Sequence, residues 1–451
     1  MIQFFDIRLV VQSDSYTKEK YYPKVLTATT SYEYPFSVPT ATIEIWTNTE
    51  ESTAGYVSPV RIPDIVRLQV STKYHANEPT VWEDIFEGRI RDIESTYDTT
   101  NGNTTTLFCT GHISTQATNL LYNDYTWTNS VDAATIIHDI VLGELNVYDT
   151  FIDATYNAAF TATGIVVSSY NAPANQKFVT DVFTDLEKLS NYSYYFSTRT
   201  IYDSNNNLSL CNIRWQPLPN KPTTKYAVIQ GSQRFISADF KSSAEELFNM
   251  IRISGDTITT TSTTDTSTTE TQYIGGAESS ASIQQYGYHA KVTDVASLES
   301  NKACAQIAAS LVVRFRNPVV SGQAVILGTP QAKLGDLVRV KIPSLEINGK
   351  WIDRNYHVYK VQHDIDATKF ETTLDFTKVK KTPEDYIASL NQQSRINNMN
   401  SVNSADVSDP NQDGSSQSLA TSDTSDSGDS GYTDTSTWSD NTDTSMTDSG
   451  D

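Results

Sequence analysis

Cysteine is almost missing: Cys109, Cys211 and Cys304 are the only three in 451 residues. Their odd number and wide spacing exclude a disulfide framework and the close pairing of a zinc site. No apolar run approaches the ~18 residues that a membrane-spanning helix needs, so no membrane span is expected. Basic residues are also scarce. The 33 Lys and Arg against 54 Asp and Glu give a formal charge of -21, which argues against a protein that grips nucleic acid through its phosphates. The start, Met1–Leu9, is apolar but broken by Asp6 and Arg8, with no basic segment ahead of it, which argues against a secretory signal.

Chemistry-bearing motifs are missing as well. There is no Gly-x-Ser-x-Gly elbow and no Gly-rich phosphate loop with its Lys, and nothing in the spacing of the acids picks out a catalytic pair. The six histidines form no His-x-x-x-His pattern. His357 and His363 fall on one strand face, about 20 Å apart, too far for one metal. No catalytic residue, metal or cofactor is therefore expected.

The charge that is present is unevenly spread. Residues 401–451 hold eleven Asp and no Glu, Lys or Arg, so residues 1–400 carry only -10. The last segment, rich in Ser, Thr, Asp and Gly with Tyr432 and Trp438 as isolated aromatics, reads as a disordered acidic tail; the other reading is a segment that orders against a neighbouring protein. Asp423–Asp429 has the wrong acid spacing for a calcium loop.

Period-two alternation dominates the body, as in Phe5, Ile7, Leu9 and Val11, in Val66, Leu68 and Val70, and in Phe370, Thr372, Leu374 and Phe376. Helical spacing predicts helices after a cap at Ser130, over Lys177–Leu189, over Ser297–Phe315 and after a cap at Thr382. Residues 257–272 contain twelve Ser or Thr in sixteen positions, a loop or stalk on a hairpin that Thr could extend into a ribbon. The fold class expected is α+β, mostly β. The divisions are 1–128, a first β-barrel; 129–230, α+β; 231–317, a small α+β part with a Thr-rich loop at 256–282; 318–381, second-barrel elements; 382–400, a C-terminal helix; and 401–451, the tail.

The most informative feature is an internal match. Pro63-Asp-Ile-Val-Arg-Leu-Gln-Val-Ser71 lies beside Gly335-Asp-Leu-Val-Arg-Val-Lys-Ile-Pro343, Trp82 beside Trp351, and Thr105–Thr110 beside Thr372–Thr377. The offset drifts by only a few residues, which predicts two copies of one antiparallel β-barrel. Three such chains around an axis would set six near-equivalent barrels in a ring. Within the match, Asp64 and Asp336 open equivalent strands and suit a turn closed by their own carboxylates. Arg67 and Arg339 either pair with an acid across the strand or line an interface. With Trp82 and Trp351, these four residues form the candidate inter-subunit or tube interface.

The order of these pieces resembles the baseplate-hub family of tailed viruses, which includes late-control protein D, tail-associated hub proteins and the base of type VI secretion spikes. Trp82-Glu-Asp-Ile-Phe-Glu-Gly-Arg-Ile90 with Leu107–Gly111 is similar to the end of that family's first barrel. Asn249–Gly255, Tyr286-Gly287, Gly328-Thr-Pro330, Leu334–Val340 and Tyr356–His363 follow in the family's order. Lys333-Leu-Gly335 departs from the usual proline before Gly-Asp, and the Thr-rich segment and acidic tail have no counterpart. The resemblance implies barrels like those of the tail tube, in a homotrimeric structural hub at the tail tip of a virion, made in the host cytoplasm. It would surround a channel for tape measure protein and genome. Its partners would be the tail tube or distal tail protein, the tape measure protein and tail spike or fibre proteins, with DNA passing through without specific binding. The competing readings are a tail-associated lysin or glycosidase, for which the divisions leave no separate domain, and a secreted β-rich adhesin.

Overall fold

The computed structural model describes residues 4–392 and 417–418, leaving aside 13–19, 22, 35, 48–59, 74–80, 99–101, 115–117, 147–151, 154–164, 168, 191, 203–207, 262–267, 348 and 377–381. Except for Gln417–Ser418, which pair in parallel with Ala277–Glu278, the acidic tail lies outside the described residues.

The first part of the chain forms strands β1 (Phe4–Gln12), β2 (Lys24–Glu33), β3 (Thr40–Thr47), β4 (Ile65–Lys73), β5 (Glu83–Asp98) and β6 (Gly102–Thr110). Alternation decides the faces. In β6, Thr105, Leu107 and Cys109 are buried while the residues between them are half-buried, as a period of two requires. The strands lie in the order β2-β3-β6-β5-β4-β1, every neighbour antiparallel. Leu9, Ile43, Val66, Leu68, Phe86 and Leu107 fill the core on one face. Each such side chain stabilises the fold by roughly 1.5–3 kcal/mol.

The middle of the chain carries α1 (Ala133–Ile140), α2 (Val179–Leu189) and the hairpin β7 (Tyr194–Tyr202) with β8 (Leu208–Pro217), around a core of Ile136, Ile137, Val182, Phe183, Phe196 and Trp215. The cap of α1 is Asp132, whose carboxylate accepts the Ala134 N–H at 2.9 Å, and not Ser130. The helix starts later than its periodicity predicts because Val131 and Asp132 first pair as a strand with Val166 and Val167. Glu187 of α2 is fully buried and accepts the N–H groups of Phe36 at 2.7 Å and Phe196 at 3.2 Å, which ties the segment after β2 to the hairpin. Burial pushes its carboxyl up to about 8.

The chain then lays down β9 (Val228–Ile229) and β10 (Phe235–Ser243), followed by β11 (Met250–Thr261), β12 (Thr268–Glu278), α3 (Ser280–Tyr286), β13 (Ala290–Asp294) and α4 (Asn301–Phe315). Most of residues 256–282 is therefore ordered ribbon and helix and not loop: Thr257–Thr261 pair with Thr268–Gln272, and the tip at 262–267 lies outside the described residues. The antiparallel ladder, irregular between Ser254 and Thr257, extends it, and Thr suits a strand. α4 starts at Asn301, after the Ser300 hydroxyl caps the Ala303 N–H at 3.1 Å, and buries Cys304, Ile307, Leu311 and Phe315 on this ribbon. Last come β14 (Val319–Leu327), β15 (Leu337–Ile347), β16 (Lys350–His357), β17 (Lys360–Ile365), β18 (Phe370–Asp375) and α5 (Pro383–Gln392).

The second set of strands repeats the first. β10, β14, β18, β17 with β16, β15 and β9 neighbour one another in the sequence that β2, β3, β6, β5, β4 and β1 follow. β16 and β17 divide the work of β5: residues 83–89 of β5 pair with β4 and 89–98 with β6, while β16 pairs with β15 and β17 with β18. The repeat extends to irregularities. β2 bulges at Leu26 against β3, and β10 bulges at Ile236 against β14, at the matching place. One difference is that β1 is antiparallel to β4 whereas β9 is parallel to β15.

The two repeats are joined edge to edge: β17 pairs antiparallel with β2, from Lys360↔Glu33 to Ile365↔Ala28, giving one sheet of eleven strands with Lys20–Tyr21 at its far edge. No closed barrel occurs among the described residues. The eleven-stranded sheet holds β10, β14, β18 and β17 of the second repeat, while β9, β15 and β16 form a separate three-stranded sheet. Gly275 of β12 lies under α4, where an added Cβ would stand 2.2 Å from the Ala305 backbone nitrogen, whereas at Gly276 the nearest atom is at 3.5 Å. Gly275→Ala is expected to lower stability by about 1–3 kcal/mol through overpacking, and Gly276→Ala by clearly less, as read by urea denaturation.

Candidate functional site

The six residues singled out by the internal match occupy equivalent places. At the head of β4 the Asp64 carboxylate accepts the Arg61 N–H at 2.7 Å, and the Asp64 carbonyl accepts the Ile90 N–H at 2.9 Å. At the head of β15 the Asp336 carboxylate accepts the Lys333 N–H at 3.0 Å, and its carbonyl accepts the Val358 N–H at 2.9 Å. Both acids close turns with their own side chains. Tyr226 also donates to Asp336 at 2.8 Å, and burial raises the Asp336 carboxyl above its ordinary range.

Three residues on, Arg67 is paired across the strand with Asp84, and Arg339 with Asp353. The duplicated unit is therefore a turn-closing Asp, a strand Arg and an acid two positions after a Trp: Trp82-Glu-Asp84 and Trp351-Ile-Asp353. Both arginines make the cross-strand pair that is one of their two readings. Their surroundings differ. The Arg67 side chain is 15% exposed and lies 3.8 Å over the ring of Tyr202 from β7, while that of Arg339 is 50% exposed. Trp82 is covered by the Arg8 guanidinium at 4.3 Å, whereas Trp351 is 65% exposed beside a shallow cleft of about 270 Å³ lined by Lys341, Pro343, Trp351, Ile352 and Asp353.

Around Arg67 the first repeat holds a polar cluster. Asp84 accepts from Arg67 Nη2 at 2.6 Å and from Gln69 Nε2 at 2.7 Å; Gln69 in turn accepts from Arg8 Nε at 2.9 Å. Tyr202 donates to Glu87 at 2.6 Å, Arg67 lies 3.8 Å from Glu87, and Gln331 donates to Glu83 at 2.6 Å from the turn before β15. The cluster thus fastens the first repeat to both the middle hairpin and the second repeat. Burial first, and then the nearby Asp84 charge, push the Glu87 carboxyl up to about 7. Asp84, Asp353, Glu87 and Tyr202 escaped the sequence reading. The shared Trp-x-Asp spacing was a signal for the first two, but Tyr202 reaches the cluster across 115 residues of chain separation and carried none.

The remaining candidates stay apart. His357 Nδ1 lies 3.3 Å from the Gly335 carbonyl, and His363 Nδ1 lies 3.0 Å from the Thr372 hydroxyl. The second contact has its own counterpart, Ser95 with Thr105 at 3.1 Å. No three His, Cys, Asp or Glu side chains gather as metal ligands among the described residues.

No family model and no curated protein matches this chain. Solved structures do. The 43 kDa tail protein of prophage MuSo2 from Shewanella oneidensis superposes with a TM-score of 0.50 at 12% identity, over 85% of this chain and 99% of that one. Prophage tail protein gp18 from Listeria monocytogenes gives 0.46 at 11% identity over 87% and 99%, and a tail protein from Neisseria meningitidis 0.47 at 7% over 84% and 98%. At the level of fold, the chain is similar to the MuSo2 prophage tail protein.

Because Glu87 has its carboxyl raised in the fold from an ordinary 4.5, the folded state holds a proton that the unfolded chain releases between about pH 4.5 and 7. Stability from this group is present below that window and lost as pH rises through it. Glu87→Gln keeps an acceptor for Tyr202, so the drop in melting temperature between pH 5 and pH 8 is expected to shrink in the variant; an unchanged drop would rule Glu87 out as its source.

Proposed function

We propose that the chain is a structural hub protein of a viral tail tip. It would act as a homotrimer whose six sheet repeats, each the core of one barrel module, form a pseudo-sixfold ring around a channel. The observation that carries this reading is the duplication itself. One chain contains the same strand order twice, as one six-strand sheet in the first repeat and as β10-β14-β18-β17 plus the separate sheet β9-β15-β16 in the second, down to the same bulge, the same Asp turn and the same Arg–Asp pair, and the two repeats meet through one edge contact. A protein that must fit a sixfold tube with three chains needs two near-equivalent units per chain. The fold shared with a prophage tail protein supports the same reading.

The ring would stack on the tail tube or distal tail protein, admit the tape measure protein and then the genome, and carry spike or fibre proteins at its outer end, all within the virion. The surplus of acids suits a channel wall that DNA slides past, since a basic wall would hold phosphates through counterion release. Its work is assembly and not turnover.

The purified chain of 50.1 kDa is expected to run as a species of about 150 kDa by native mass measurement. A monomer that hydrolyses glycan would sink the hub reading. Duplex DNA should remain unretarded by the assembled protein at 150 mM salt, about physiological strength, and retention on an electrophoretic gel would contradict the channel reading.

A further inference from the structure

The junction between the two repeats predicts where the next chain attaches. Inside the chain, β17 has β18 on one edge and β2 on the other. The counterpart of β17 in the first repeat is the second half of β5, and the counterpart of β2 in the second repeat is β10. Residues 92–97 of β5 have β6 on one edge and no described strand on the other, and β10 has β14 on one edge and no described strand on the other. Each repeat therefore presents the half of the junction that the other has already used.

Exposure follows the same logic. Val361, His363 and Ile365 of β17, a strand paired on both edges, are 1%, 2% and 4% exposed. Their counterparts Ile93, Ser95 and Tyr97 are half-buried, exposed and 68% exposed. An uncovered strand edge bearing an exposed Tyr is a template for another strand, which a soluble protein guards or uses.

We infer that, in the assembly proposed above and resting on that reading, residues 92–97 of β5 pair antiparallel with residues 238–243 of β10 from the neighbouring chain, in the register of β17 on β2. That register is set by the shared bulges and ladders. Ile365↔Ala28 becomes Tyr97↔Ala238, Asp364↔Thr29 becomes Thr96↔Asp239, and Gln362↔Ser31 becomes Glu94↔Lys241. The side chains fit. Within the chain, the Thr29 hydroxyl donates to the Asp364 carboxylate at 3.0 Å, and between chains the same Thr–Asp contact recurs with its partners exchanged. Glu94 faces Lys241, opposite charges on exposed positions. A one-residue slip would set Glu94 against Phe240 and turn each face over. The contact is head-to-tail, since β5 of one chain meets β10 of the next, so it propagates around an axis until it closes.

Cysteine pairing tests it in the full chain, whose own three cysteines are buried. Thr96→Cys with Asp239→Cys replaces two exposed side chains at facing positions, about 4.5–5.5 Å apart at Cβ in such a ladder. Under mild oxidation this double variant is expected to give disulfide-linked dimer and a closed trimer on a non-reducing gel. Each single variant should give neither, and Thr96→Cys with Ala238→Cys, one residue out of register, should stay unlinked. A trimer by native mass with no linkage at 96 and 239, or with equal linkage at 96 and 238, overturns this junction and leaves the hub reading standing. A chain that is monomeric by native mass and unlinked overturns both.

Discussion

The antiparallel ladder between β2 and β17 is the constraint on which the rest of the molecule depends. It joins strands more than 300 residues apart in sequence, so the chain between them must leave one sheet, build the middle domain and the Thr-rich ribbon, and return to lay the second sheet beside the first. The cost of closing so long a loop grows only slowly with its length. What the ladder demands is register, because a slip of one residue would turn Ile365 and Val361 away from the cover they now share with Ala28 and Tyr32. Ile365 and Phe370 belong to the core of the first repeat, so the two sheets are one body and not two domains leaning together.

Duplication explains the local detail. The Asp turn, the Arg–Asp pair and the contact of Thr105 or Thr372 with its opposite neighbour occur twice because each satisfies a backbone or side-chain group at a fixed point of the sheet. Where surroundings differ, so do the pairs. Arg67 is roofed by Tyr202 and shares its acid with Gln69, and the counterpart of Gln69 is the basic Lys341, so Arg339 is left half in solvent. An exposed pair of that kind contributes little to stability, and a roofed one organises its neighbours. The same residues can thus fasten domains in one repeat and leave an open cleft beside Trp351 in the other.

Much of this was legible in the chain. Period-two alternation placed the strands, the Asp-Ile-Val-Arg and Asp-Leu-Val-Arg blocks located the repeat, and the offsets held to within a few residues because the drift falls in connections and in the bulge at Ile85. Of the two readings of the Thr-rich stretch, loop and extended ribbon, the structure contains the ribbon over Thr257–Thr261 and Thr268–Gln272; a low-complexity Thr run looks alike whether it is solvated or laddered. The start of α1 was missed because Val131 and Asp132 are claimed by a strand pairing that no local pattern announces. The expectation of two β-barrels rested on each repeat's own strands, and the pairing of β17 with β2 across the repeats has no local signal.

Sequence alone determined the alternation, the duplication, the acidic balance and the lack of any metal or nucleophile motif, because each is a matter of residue type and spacing along the chain. Tertiary structure alone decided which strand edges are filled and which stay open, and which of two equivalent arginines is roofed. Those outcomes depend on hydrogen bonds and burial between residues far apart in the chain. Backbone amides carry no sequence signature of the partner they will meet.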